Sequence, residues 1–295
     1  MNRYITNLAE AKEKIIDLYP KFKTSKFVAD EKGWDNFVVK VDNKFIFRFS
    51  RRPESQIILE LEKVLLASLS KGLSNKIEIP DFIYCNLTEN GPFIGYKMIE
   101  GTFLTKDIYN KLSEKEKNNL AKTSAEFLTE LHSVNISCYD FDVIEPISNY
   151  KLRYDEFKRI CFKYLNREEQ YLTTQLFEDY FNDSTMIEYR ASVIHGDLSS
   201  DHILLTNNGL GIIDFGDLSV FDPAFDFTWA YLLDEKLYDK VFEYYKGHKD
   251  KNFKHRIKDF YVKIISYYGI VYGEQTNNQD LIQEELKNLG KYLFD

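Results

Sequence analysis

The chain has 295 residues, 44% of them hydrophobic, with a formal charge of −8 and a pI near 5.3. That length suffices for two lobes with separate cores, and the acidic balance excludes the basic surface a nucleic-acid binder needs. No apolar run approaches the roughly 18 residues of a membrane span, and the N-terminus MNRYITNLAEAKEK has no apolar stretch of signal-peptide type; no membrane partner and a cytoplasmic location are expected.

In chain order, Leu8 to Leu18 has helical spacing that Pro20 closes, and Phe27 to Phe49 reads as a strand meander with Asp42-Asn43 as a turn. Within the meander, Asp30 to Asn36 (DEKGWDN) carries a single glycine and reads, on its residues alone, as a β-turn. In the strand Phe45–Phe49, the three phenylalanines share one face while Ile46 and Arg48 share the other. The helix expected from Pro53 to Leu69 carries an apolar stripe of Ile58, Leu61, Leu65 and Leu69, with Glu62 inside it. A carboxylate on a buried face needs a partner, and Arg48 is the natural one. If Glu62 instead reaches water at the stripe's edge, Glu60 is an equal candidate.

Phe93 to Ile99 reads as a strand ended by Glu100-Gly101, and Ser113 to His132 as a helix with a capping box between Ser113 and Glu116. His132 continues its buried stripe as a packing residue. Tyr150 to Tyr189 is helical, aromatic and charged. The aromatic content, 16% with 21 Tyr and 23 Phe, points to dense core packing. Cys85, Cys138 and Cys161 are widely spaced, odd in number and lack metal-ligand spacing, so buried free thiols are expected.

The segment Val193–Asp217, VIHGDLSSDHILLTNNGLGIIDFGD, holds two acid-bearing motifs joined by a hairpin. Asn-Gly tolerates positive φ, and with Asn208-Gly209 at the turn centre Ile203 falls opposite Asp214. His202 and Asp214 then share the hairpin's open end, within reach of Asp197. A loop carboxylate, a possible metal ligand five residues on and an Asp on the return strand form the layout phosphoryl transfer needs. Beyond them, Asp222 to Asp226 reads as a turn into a helix, with Asp226 as a cap that satisfies backbone donors and holds the loop. Asp201 beside this group, and Asp234 and Glu235 at the end of an aromatic helix, are acidic side chains suited to a cationic ligand or to solvated surface.

At His195-Gly196-Asp197, His202 and Asp214-Phe215-Gly216 the chain resembles the aminoglycoside phosphotransferase family of antibiotic kinases. It is most similar to the 2″-phosphotransferase branch and the related macrolide 2′-phosphotransferases, which also carry His at the position of His202. The likeness runs from Gly33 to about Tyr231 and includes the Gly-Trp-Asp-Asn loop, although that loop lacks a G-x-G-x-x-G pattern. The resemblance implies an α+β, bilobal, protein-kinase-like fold, with a nucleotide-binding lobe at residues 1–99 and a larger, mainly helical lobe at 100–295. It implies transfer of the γ-phosphate of GTP or ATP to an aminoglycoside hydroxyl by a monomer, conferring resistance. Asp197 would accept the hydroxyl proton, His202 and Asp214 would hold Mg²⁺, and Arg48, in the place of a phosphate-touching lysine, would be braced by Glu62. Backbone groups of Lys97, Met98 and Ile99 would meet the base, and Asp201, Asp234 and Glu235 would bind substrate ammonium groups. A macrolide, another small metabolite and a non-catalytic nucleotide-binding role are the alternatives the same motifs allow.

Overall fold

The computed structural model describes residues 4–30, 36–87 and 90–293. Helix α1 (Leu8–Leu18) is capped by Asn7, whose side chain accepts the Glu10 amide at 3.0 Å. Strands β1 (Phe27–Asp30), β2 (Asn36–Val41) and β3 (Phe45–Ser50) form the expected meander, and Asp42 and Asn43 both take positive φ (54° and 52°), as a two-residue hairpin turn requires. Helix α2 (Pro53–Leu69), the short β4 (Ile77–Glu78), β5 (Phe82–Asn86) and β6 (Phe93–Lys97) follow, giving a five-stranded antiparallel sheet in the order β1-β2-β3-β6-β5. One face of β3 packs Phe47 and Phe49 with Tyr84, Phe93 and Ile15 of α1 in a core of their own. On the alternate positions, Ile46 and Arg48 lie opposite Tyr96 and Ile94 of β6. The Gly33-Trp34-Asp35 part of the loop singled out in the sequence lies outside the described residues.

The second lobe runs through β7 (Thr102–Phe103), α3 (Lys106–Lys111), α4 (Glu114–His132), α5 (Pro146–Cys161), α6 (Arg167–Asn182), β8 (Ser192–Ile194), β9 (Ile203–Leu205), β10 (Leu210–Ile212) and β11 (Ser219–Phe221). It ends with α7 (Thr228–Leu233), α8 (Glu235–Tyr244), α9 (Phe253–Arg256), a π-helical turn (Ile257–Tyr261), α10 (Val262–Gln275) and α11 (Gln279–Leu293). The architecture is the bilobal α+β kinase-like fold. The capping box of α4 forms as expected, Ser113 Oγ accepting the Glu116 amide and Glu116 accepting the Ser113 amide.

Leu61, Leu65, Leu66 and Leu69 of α2, together with Ile77, pack into the core of the second lobe, and β4 pairs in parallel with β10. In α2 the buried positions include Leu59 rather than Ile58, which is half-buried, and Glu60 is exposed. The β9–β10 hairpin is also shifted from its sequence-based register. Ile203 pairs with Ile212, and Thr206 donates to the Gly209 carbonyl at 3.0 Å, so the turn is centred on Asn207-Asn208 and Asp214 lies beyond the paired strand. Gly209 is needed for a different reason than positive φ: a Cβ there would collide with the Lys76 carbonyl oxygen. All three cysteines are free, but only Cys161 is buried, while Cys138 is exposed. Among the described residues no helix is long and apolar enough to cross a membrane.

Candidate active site

The loop after β8 is shaped by its glycine and its histidine. Gly196 has φ +83°, and a Cβ there would collide with the Asp217 carbonyl oxygen, so both conformation and space require glycine. His195 is fully buried. Its Nδ1 faces the Asp197 amide at 3.4 Å and its Nε2 the Ile213 carbonyl at 3.1 Å, which assigns the proton to Nε2. Burial pushes this histidine down to about 4 against the opposing charge of Asp226, so at neutral pH it is an uncharged strut between the loop and the Asp-Phe-Gly segment. Its ring also packs on Phe215, 4.8 Å between centroids.

Asp226 holds the loop from below, accepting the His195 amide at 2.8 Å and the Gly196 amide at 3.0 Å. The donors it satisfies belong to the loop and not to its own helix, whose N-terminus has no side-chain cap. The turn leading to it is pinned by Asp222, which accepts from the wholly buried Arg256 (Nη2 at 3.1 Å) and from Tyr261 at 2.8 Å. Arg256 also forks onto Asp250 with two 2.8 Å contacts. The π-helical turn that carries Tyr261 is thus tied to this polar cluster.

Asp197, His202, Asp214 and Arg48 come together at the lobe junction. His202 Nδ1 lies 2.7 Å from the Asp197 carbonyl oxygen, to which it donates, and Nε2 stands 3.6 Å from Asp214 Oδ2. Asp214 adopts φ +63°, a left-handed conformation that costs a non-glycine residue about 1–3 kcal/mol and is concentrated at functional sites. Its Oδ1 lies 3.5 Å from Arg48 Nη2. Arg48 Nη1 in turn contacts Glu62 Oε2 at 2.6 Å, with side-chain exposures of 7% and 0%. Glu62 is therefore the buried partner and Glu60 is not. The remaining oxygen, Glu62 Oε1, has no hydrogen-bond partner among the described residues.

Electrostatics separate the two aspartates. Desolvation pushes Asp197 up, Asp214 and Asp201 add to that, and His202 opposes it. Asp214 is also pushed up by desolvation, but Arg48, His202 and His195 outweigh this and hold it below the usual carboxylate range. Two carboxylates shifted in opposite directions therefore stand on either side of His202. Among the described residues no group of three His, Cys, Asp or Glu side chains gathers to hold a metal ion. The His202 nitrogen and the Asp214 carboxylate fit a hard cation only as a partial set, with phosphate oxygens and water supplying the rest, which is how Mg²⁺ is usually held.

A cavity of about 970 Å³ opens beside Asp197 and is walled by Asp201, Asp217, Trp229, Tyr268 and Glu285. Asp217 and Glu285 were not singled out in the sequence. Asp217 follows the Asp-Phe-Gly motif directly and was legible there. Glu285 reaches the cavity only because α11 folds back on α10, where a Cβ on Gly269 would lie 2.6 Å from Glu285 Cγ. Burial pushes Glu285 up, against hydrogen bonds from Ser266 and Asn288. Asp234 and Glu235 do not line the cavity. Asp234 caps α8 through the Lys236 amide at 2.9 Å and accepts from Tyr109 at 3.0 Å, and Glu235 pairs with Lys254 at 3.0 Å.

Of the three segment residues expected at the base edge, Lys97 is exposed at the end of β6 and Ile99 covers Gly211 of β10. The Met98 amide donates to the Lys44 carbonyl at 2.8 Å and is already spent. His132, expected as a satisfied packing residue, is one: both ring nitrogens have partners, in Tyr245 and Asp226.

The model of the phosphotransferase enzyme family, APH, matches residues 26–253. The chain belongs to this family. The GDP and kanamycin complex of APH(2″)-IIIa is similar to this phosphotransferase, with a TM-score of 0.83 and 25% identity over 96% of this chain and 98% of that one. Macrolide 2′-phosphotransferase MphH from Brachybacterium faecium shares the fold, with a TM-score of 0.66 and 17% identity over 94% and 98% of the two chains. The protein YcbJ of Bacillus subtilis (strain 168) is 24% identical over 212 residues, and the chain spans 66% of its length.

Proposed function

We propose that this phosphotransferase moves the γ-phosphoryl group of GTP or ATP to a hydroxyl of an aminoglycoside and so confers resistance. The observation that carries the reading is the gathering of Asp197, His202, Asp214 and the Arg48–Glu62 pair, with Asp197 and His202 on the cavity wall. In the proposed step the acceptor hydroxyl donates to the Asp197 carboxylate, its oxygen bonds to the γ-phosphorus as the bond to the leaving diphosphate breaks, and the proton passes to Asp197. Arg48, fixed by Glu62, contacts the phosphates. Mg²⁺ held by His202 and Asp214 would offset charge on the phosphate oxygens. Asp201, Asp217 and Glu285 would receive ammonium groups of the substrate. Neighbouring structures whose names specify GDP and kanamycin support the donor and acceptor classes.

One observation favours a second acceptor class. The cavity wall also holds Lys106, Arg153 and Lys291 beside the aromatic Trp229 and Tyr268, a lining with few net charges that suits a larger, mostly apolar alcohol such as a macrolide. Incubation with labelled GTP or ATP, Mg²⁺ and separate panels of aminoglycosides and macrolides tests both. Label on an aminoglycoside supports the first reading and label on a macrolide alone the second. Tight nucleotide binding with no transfer to any alcohol would leave only a non-catalytic role.

A further inference from the structure

A buried chain of hydrogen bonds reaches the catalytic loop from the far side of the second lobe. Tyr245, just beyond α8, places its hydroxyl 2.8 Å from His132 Nδ1 at the end of α4. His132 Nε2 lies 3.1 Å from Asp226 Oδ2, and Asp226 accepts the amides of His195 and Gly196. The His132 and Asp226 side chains are 1% and 0% exposed, and Tyr245 is 1% exposed.

The directions of these bonds follow from the chemistry of the groups. A carboxylate offers only acceptors, so the nitrogen facing Asp226 carries the proton. A neutral imidazole with Nε2–H presents Nδ1 as an acceptor, and the Tyr245 hydroxyl is its donor. Burial, and then Asp226 and Asp222, push that hydroxyl up, so it keeps its proton. Each link removes one freedom: Tyr245 fixes the plane and tautomer of His132, His132 fixes the rotation of the Asp226 carboxylate, and the two carboxylate oxygens fix the two amides that precede Asp197.

We propose that Tyr245 and His132 are positioning residues for phosphotransfer, acting through Asp226 to present Asp197 in one orientation to the acceptor hydroxyl. This rests on the reading of Asp197 as the proton acceptor. Packing alone would give Tyr245 a role in stability and none in loop order, since its ring also stands against His132 at 5.5 Å and Phe227 at 5.1 Å.

Tyr245→Phe keeps the ring and removes only the hydroxyl. In the full chain it is expected to lower kcat roughly three- to tenfold with KM for the nucleotide unchanged, the span set by one buried hydrogen bond. Hydrogen exchange at the His195 and Gly196 amides should speed up by a similar factor. Wild-type kcat, or wild-type protection of those two amides, overturns the proposal whatever happens to thermal stability. Nitrogen-15 spectra of His132 in the wild-type protein need no variant to fold: protonated Nε2 with unprotonated Nδ1 is expected, and the opposite tautomer overturns the chain. Exchange and tautomer need no acceptor, so failure of the phosphotransfer reading is seen separately, as silence of the wild type toward every alcohol.

Discussion

Arg48 reaches Glu62 with one guanidinium nitrogen, at 2.6 Å, and Asp214 with another, at 3.5 Å. Arg48 can serve both carboxylates because its donors form a planar fork, which the single ammonium of lysine does not reproduce. Removing one partner of a buried pair strands the other charge and costs about 3–5 kcal/mol. Glu62→Ala is expected to lose that much in urea unfolding, and the double substitution Arg48→Met with Glu62→Leu to recover most of it. A Glu62→Ala protein as stable as wild type would mean that the pair is solvated.

His195 gives stability a defined pH dependence. Its folded value, about 4, lies below its ordinary 6.5, so between those values the unfolded chain binds a proton that the folded loop refuses. The contribution is complete above pH 6.5 and is lost as pH falls toward 4, amounting to about 3 kcal/mol. Proton NMR of the native protein should show no His195 titration near 6.5. A titration there would contradict the burial argument.

Gly196→Ala meets two obstacles, the positive φ and the Asp217 carbonyl oxygen in the space a Cβ would take. Left-handed strain alone costs about 1–3 kcal/mol, so thermal stability should drop by at least that, and transfer activity should drop with it because Asp197 is next in the chain. A Gly196→Ala protein with wild-type melting and activity would show that the loop tolerates a side chain there.

Asp234 and Glu285 should respond in opposite ways. Asp234→Ala removes a cap and is expected to cost about 1 kcal/mol of stability while leaving KM for an aminoglycoside unchanged. Glu285→Gln should raise that KM about tenfold, the loss of one charge-assisted contact, with little change in melting. The reverse pattern would return Asp234 to the substrate site.

Much of this was legible in the sequence because it is local. The stripe in α2 exposed Glu62 as a buried acid, alternation in β3 turned Arg48 away from the phenylalanines, and the hairpin brought His202 and Asp214 to one end. The register error of two residues arose because the glycine of Asn207-Asn208-Gly209 answers to Lys76, which leads into β4, a contact that turn chemistry does not encode. Glu285, Arg256 and Tyr245 were missed for the same reason. Each acts through a partner many residues away, brought close by helices whose pairing no short motif marks.

The most direct test is single-turnover transfer of the γ-phosphoryl group to an aminoglycoside by wild type and by Asp197→Ala, with folding and nucleotide affinity measured in parallel. The wild type is expected to transfer, and Asp197→Ala to bind nucleotide normally yet transfer roughly 10²- to 10⁴-fold more slowly. Transfer by folded Asp197→Ala at the wild-type rate would contradict the account.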